Sequence, residues 1–152
     1  MKAVIALGAN LGNPKEQLAA AIQAISDLIV VAAVSSFYET EPVGVVDPQP
    51  NYWNAILIGQ SELEPLDLMR ALLKIESSLG RIRSTPNAAR LIDIDIIDFG
   101  GISMASAELT LPHPRAHQRR FVLAPWFEID PDGILTGNGS VRELLSQLDA
   151  AK

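Results

Sequence analysis

The segment Leu91–Phe99, LIDIDIIDF, constrains the fold more than any other stretch. The alternation of isoleucine and aspartate from Ile92 to Ile96 has the period of a β-strand, in which every second side chain shares a face. Asp93 and Asp95 therefore point the same way, about 7 Å apart at their roots. Ile92, Ile94 and Ile96 point the other way, into a core. By the same count Asp98 has the opposite parity and reads as a strand-end residue.

The rest of the chain supplies the partners of this strand. KAVIALG (residues 2–8) is an apolar run rich in strand formers, and GANLGN follows it as a loop. Asn13 and Pro14 read as an N-cap and a first helical position. From Glu16 to Leu28, apolar residues fall at helical spacing: Leu18, Ala21, Ile22, Ile25 and Leu28. A second strand is expected over Ile29–Tyr38, and ETEPVGVVDPQPN is a loop broken by proline and glycine. A third strand runs over Tyr52–Gln60. Pro65 opens a helix through Leu79, ended by Gly80. The stretch Arg81–Arg90 is polar and broken by Pro86. No element is marked in the segment LTLPHPRAHQRRFVLAPWFEIDP, and a last helix is expected from Val141 to Leu148. The order βαββαβ followed by a helical C-terminal extension predicts an α+β fold. Its core would be ferredoxin-like, with helices packed on an antiparallel sheet.

The 152 residues suit one domain over 1–152, and the composition, 48% hydrophobic and 20% charged, is that of a folded globular chain. With no cysteine there are no disulfides, thiolate metal sites or cysteine nucleophiles. The apolar N-terminal run is too short for a signal peptide or a membrane span, so a cytoplasmic protein is expected.

The net charge of −6 argues against nucleic-acid or anionic membrane partners. It is unevenly spread. Residues 81–120 carry six arginines (Arg81, Arg83, Arg90, Arg115, Arg119, Arg120) against four acids, so that segment is +2 and the remainder −8. Guanidinium forks clustered in an acidic chain point to a small phosphorylated ligand.

Two carboxylates side by side on an apolar strand repel each other and lose hydration, and a divalent cation relieves both penalties. Oxygen ligands with open positions suit magnesium shared with substrate phosphates. The competing account is an edge strand whose outer face is simply wet. Magnesium with arginines is the equipment of phosphoryl transfer. No G-x-x-x-x-G-K-[ST] loop is present, and GANLGN has Asn10 where a dinucleotide fingerprint needs glycine. His113, in PHPRAH, is either a hydrogen-bond donor to phosphate or a structural loop residue, and His117 is expected to be exposed.

In order, GANLGN, SSFYETEPVG, QPNYWNA, IESSLGRIR, RLIDIDIIDFG, LPHPR and RRFVLAPWFEIDP resemble the 6-hydroxymethyl-7,8-dihydropterin pyrophosphokinases of folate biosynthesis over nearly the whole chain. The resemblance implies transfer of diphosphate from ATP to the pterin hydroxymethyl group, with release of AMP. It implies two magnesium ions on Asp93 and Asp95, and catalytic roles for Arg81, Arg90 and Asp95. ATP binding falls to Arg81, Arg83, Arg90, Ile96, Thr110, His113 and Arg119. Pterin binding falls to Thr40, Pro42, Val43, Tyr52, Asn54 and Phe121. An aromatic face and a paired amide edge suit a flat heteroaromatic ring, although Tyr52 and Phe121 alone would read as core. A monomer is favoured. Two departures stand out: STPNAAR lacks the tryptophan the family usually carries there, and Glu108 replaces a residue that is often basic. Weaker ATP binding or slower turnover is the expected consequence. The rival readings are another magnesium-dependent small-alcohol kinase, or a binding module without catalysis.

Overall fold

Five strands form an antiparallel sheet around β1 (Lys2–Ala9), in a computed structural model that describes residues 1–41, 50–80 and 92–151. β4 (Tyr52–Gln60) flanks β1 on one side and β5 (Asp93–Phe99) on the other. β2 (Val30–Val34) and the short β3 (Tyr38–Thr40) both pair with β4, so the order is β2-β4-β1-β5. Alternation along β1 gives each face its own core. Ala3, Ile5 and Leu7 meet Leu18, Ala21 and Ile25 of α1 (Pro14–Ser26) and Leu68 and Leu72 of α2 (Pro65–Leu79). Val4 joins Ile56 and Ile58 of β4 against α3 (Arg120–Ile129) and α4 (Val141–Ala150).

Local signals set most of these boundaries. The Asn13 side chain accepts from the Glu16 N–H at 3.4 Å, and Pro14 occupies the first turn of α1. α2 begins at Pro65 and ends at Gly80. Two small hairpins follow β5, β6 (Met104–Ala105) with β7 (Thr110–Leu111), and later β8 (Ile134–Leu135) with β9 (Gly139–Ser140).

Two expectations are corrected, and one helix is added that the sequence reading did not delimit. The strand expected over 29–38 is two strands. Between them the Ser36 N–H leaves the sheet and donates to the Glu128 carboxylate at 3.0 and 3.2 Å. An unexpected helix, α3, runs through Pro125. A proline inside a helix costs about 3 kcal/mol. Burial of Val122, Leu123 and Trp126, at about 1.5–3 kcal/mol each, outweighs that cost. Finally, Asp98 does not have the parity opposite to Asp95. The β1–β5 register shifts between Val4 and Ile5, so Ile96 pairs with Ile5 while Asp98 pairs with Val4. Ile97 is the extra residue of the bulge, which returns Asp98 to the face of Asp93 and Asp95. There Asp98 is only 7% exposed and accepts the Thr136 N–H at 2.8 Å.

Candidate active site

The site lies on the face that α3 covers only in part. Two cross-strand rows underlie it: Asn54, Gly8 and Asp93, then Ile56, Ala6 and Asp95, of which Ile56 is buried in the core. The middle member of each row, from the central strand, is small. That leaves a trough between β4 and β5 where a larger side chain would fill the space.

The first cleft, about 660 Å³, stands over this floor. Thr40, Tyr52 and Asn54 form one wall, and Phe121 forms another from the first turn of α3. The Asn54 carboxamide is buried. Its Nδ2 donates to Thr40 Oγ1 at 2.8 Å and to the Tyr38 carbonyl at 3.5 Å. Phe121 is 38% exposed, a large apolar ring left open toward the cleft. The Arg119 guanidinium stands 5.5 Å from the centre of that ring.

The second cleft, about 540 Å³, runs along the side of β5 away from β1, toward α2 and β7. Met69, Leu72 and Leu73 give it an apolar side, and Ile96, Thr110 and His113 line it. The Ile96 side chain belongs to the core beneath. His113 Nδ1 accepts the Arg115 N–H at 3.2 Å, which leaves Nε2 to carry the proton of a neutral ring. Burial pulls the His113 pKa below its ordinary 6.5; Asp95 opposes this, and Arg119 and Arg115 reinforce it. The ring is thus a neutral Nε2–H donor. Glu108 on the rim is engaged by the Arg70 fork at 2.9 and 3.0 Å, and that pairing holds its carboxyl below the usual range.

Asp93, Asp95 and Arg119 line both clefts. Asp93 is half-buried and Asp95 exposed at this junction. Among the described residues, no group of three His, Asp or Glu is placed to hold a metal. Two carboxylates on one face offer hard oxygen donors of the kind a divalent cation takes together with phosphates and water.

The residues expected from the sequence thus separate by cleft. Thr40, Tyr52, Asn54 and Phe121 are in the first, Ile96, Thr110 and His113 in the second, and Asp93, Asp95 and Arg119 at the junction. Pro42, Val43, Arg81, Arg83 and Arg90 lie outside the described residues. His117 is half-buried rather than exposed, because it sits in the short 3₁₀ turn Ala116–Gln118 against α3. Glu76 was not anticipated. It lines the second cleft, and its Oε1 accepts the Ile94 N–H at 3.2 Å. Its signal was present in α2: Leu68, Leu72 and Glu76 recur every four residues, so an acid occupies the buried stripe. Ala6 and Gly8 were likewise read only as part of a strand.

Residues 4–131 match the family model described as 7,8-dihydro-6-hydroxymethylpterin-pyrophosphokinase. A Haemophilus influenzae protein named 2-amino-4-hydroxy-6-hydroxymethyldihydropteridine pyrophosphokinase is 42% identical, over 95% of this chain and 91% of the relative. An Arabidopsis thaliana folate synthesis bifunctional protein is 40% identical, over 83% of this chain and 26% of that longer one. The crystal structure of Plasmodium falciparum HPPK-DHPS superposes with a TM-score of 0.75 at 16% identity. That match covers 96% of this chain and 40% of the Plasmodium chain, and at such identity it speaks for the fold alone.

Proposed function

This chain belongs to the 7,8-dihydro-6-hydroxymethylpterin-pyrophosphokinase family, and from that membership and its two joined clefts we propose how it works as a pyrophosphokinase of folate synthesis. It transfers the terminal diphosphate of ATP to the hydroxymethyl group of 6-hydroxymethyl-7,8-dihydropterin and releases AMP. The observation that carries the mechanism is that the two clefts share Asp93, Asp95 and Arg119. One substrate in each cleft brings the pterin hydroxyl and the ATP phosphates together at the same two carboxylates and one guanidinium.

In this reading the first cleft holds the pterin. Phe121 and Tyr52 flank the flat ring, Thr40 and Asn54 meet its polar edge, and the family resemblance assigns Pro42 and Val43 to the same pocket. The second cleft holds ATP, with Ile96 and Thr110 along the nucleotide and His113 donating Nε2–H to a phosphate oxygen. Two magnesium ions bound with ATP on Asp93 and Asp95 would supply charge neutralisation of the phosphates. The hydroxyl oxygen attacks the β-phosphorus in line. The bond from that phosphorus to the oxygen bridging the α-phosphate breaks, and AMP keeps the bridging oxygen. Asp95 accepts the hydroxyl proton. Arg119, with Arg81, Arg83 and Arg90, balances charge on the transferred group, a positioning and electrostatic role.

Residues 1–152 act as one domain in this proposal, in the cytoplasm and as a monomer. The strand order β2-β4-β1-β5, with α1 and α2 on one face, supports a ferredoxin-like core. No helix among the described residues is long and apolar enough to cross a membrane, and the net charge of −6 does not favour nucleic acid.

The test is turnover with ATP, magnesium and the pterin, separating AMP from ADP. Pterin-dependent AMP is expected, and ADP would replace this reading with single-phosphate transfer. Asp95→Ala should lower turnover by about a hundredfold or more while the melting curve stays in place, because the side chain is exposed. A near-normal rate in that variant would sink the role given to Asp95.

A further inference from the structure

We propose that Glu128 of α3 is a positioning residue for the pterin cleft: it anchors β3 from outside the sheet and, through β3, sets which way the Asn54 carboxamide faces. The identity of the ligand rests on the function proposed above; the geometry does not.

β3 has three residues and, among the described residues, pairs only with β4, through Tyr38–Asn54, Glu39–Trp53 and Thr40–Tyr52. So short an edge strand needs further support to hold one position. Glu128 supplies it with both carboxylate oxygens. They accept the Ser36 N–H at 3.0 and 3.2 Å, the Ser36 hydroxyl at 2.9 Å and the Tyr38 hydroxyl at 2.7 Å. Charged acceptors of this kind make strong hydrogen bonds.

The consequence reaches the cleft through Asn54. A side-chain amide can face either of two ways, and its neighbours decide. The Thr40 hydroxyl at 2.8 Å would tolerate either one. The Tyr38 carbonyl at 3.5 Å can only accept, so the amino group must face β3. Asn54 Oδ1 is then presented over Gly8, 3.1 Å from where a Cβ on that residue would stand. The Tyr38 carbonyl that selects this orientation and the Thr40 hydroxyl that supports it both belong to β3, and β3 is tied to Glu128.

The same helix carries the opposite wall. Phe121 lies seven residues before Glu128, about 10 Å along the axis at 1.5 Å per residue. One rigid element therefore fixes the aromatic wall and, through Glu128, the polar wall facing it. Burial, then the hydrogen bond and charge of Glu128, push the Tyr38 phenol up to about 12, so it remains a donor at neutral pH. Burial raises the Glu128 pKa, but the bonds from Tyr38 and Ser36 outweigh it and hold the carboxyl below its ordinary value, so it remains an acceptor.

The test uses the full chain with Glu128→Ala, Glu128→Gln and Tyr38→Phe. Glu128→Ala should raise the pterin KM about tenfold while kcat and the ATP KM stay within about twofold. Tyr38→Phe should give a smaller rise of the same kind, and Glu128→Gln, which keeps one acceptor oxygen, should recover part of the loss. A tie that only stabilises the fold would lower the melting temperature and leave the pterin KM alone. That outcome, or a parallel change in both KM values and kcat, would overturn the proposal. The Asn54 side-chain amide resonances give a readout independent of turnover. They should shift in Glu128→Ala and Tyr38→Phe, and unmoved resonances would also overturn it. A wild-type protein that makes no AMP from the pterin would count against the function and leave this readout intact.

Discussion

Replacing Gly8 by alanine adds one methyl group to the floor of the first cleft, between Asn54 on one side and Asp93 on the other. The new Cβ would stand 3.1 Å from Asn54 Oδ1 and 4.0 Å from the Trp53 carbonyl. Gly8 is not among the glycines with positive φ, so alanine meets no backbone strain there. Loss of unfolded-state freedom stabilises by about 0.4–1 kcal/mol. The tight contact opposes this, because Asn54 is held to Thr40 at 2.8 Å and cannot simply swing aside. The two effects should leave stability within about 1 kcal/mol of wild type. Binding has no such compensation. An extra methyl under a closely packed ring costs about 1–3 kcal/mol, or about 10–200-fold. The assay is AMP release against pterin concentration at saturating ATP, with thermal melting of the same sample. A large rise in the pterin KM with little change in melting is expected. A pterin KM within about twofold of wild type, in a folded variant, would show that the ring does not rest over β1 and would refute the argument.

Trp126 is 1% exposed at the centre of the second core and donates through Nε1 to Asp130 at 3.0 Å. Trp126→Ala should lose about 3–5 kcal/mol in a urea titration, and a loss under about 1 kcal/mol would mean the core refills. Tyr38 titrates late, its pKa raised by burial and by Glu128 from 10.0 to about 12. A group whose folded pKa is raised contributes stability that is complete below the unfolded value and disappears as pH rises through the folded one. For Tyr38 that window runs from pH 10.0 to about 12. Tyrosinate absorbance should therefore show a late phase that Tyr38→Phe removes; its persistence in that variant would refute the assignment.

Where a signal is local, the sequence carried it. Asn13 with Pro14 marked the start of α1, and the strand Tyr52–Gln60 and the helix Pro65–Leu79 stand at the bounds their patterns indicate. The shared face of Asp93 and Asp95 follows from period two alone. What could not be read depends on partners distant in the chain. Pro125 argues against a helix by its local cost, and only the apolar face of β1 and β4 explains why α3 forms regardless. The bulge at Ile97 depends on pairing with β1, so counting along β5 gave Asp98 the wrong side. Thr40, Asn54 and Phe121 carry no local mark of a common cleft; the resemblance named them, and the pairing of β3 with β4 together with the seat of α3 brings them to it. Glu76 was the legible omission, a carboxylate in an apolar helical stripe.

A sheet usually interlocks its bulkiest side chains along the central strand. Here β1 withholds that bulk at Ala6 and Gly8, and of the residues beside them Ile56 alone is large and apolar, Asn54, Asp93 and Asp95 being polar. The second core therefore ends early, with its next layer left undone. In the function proposed above, a flat ligand settling between Phe121 and the sheet would complete that layer, taking the place of side chains the chain never contributed. On that proposal, part of the packing of this protein is a removable piece. Its resistance to unfolding should climb with ligand occupancy, so that the cell's supply of substrate also acts as a supply of core.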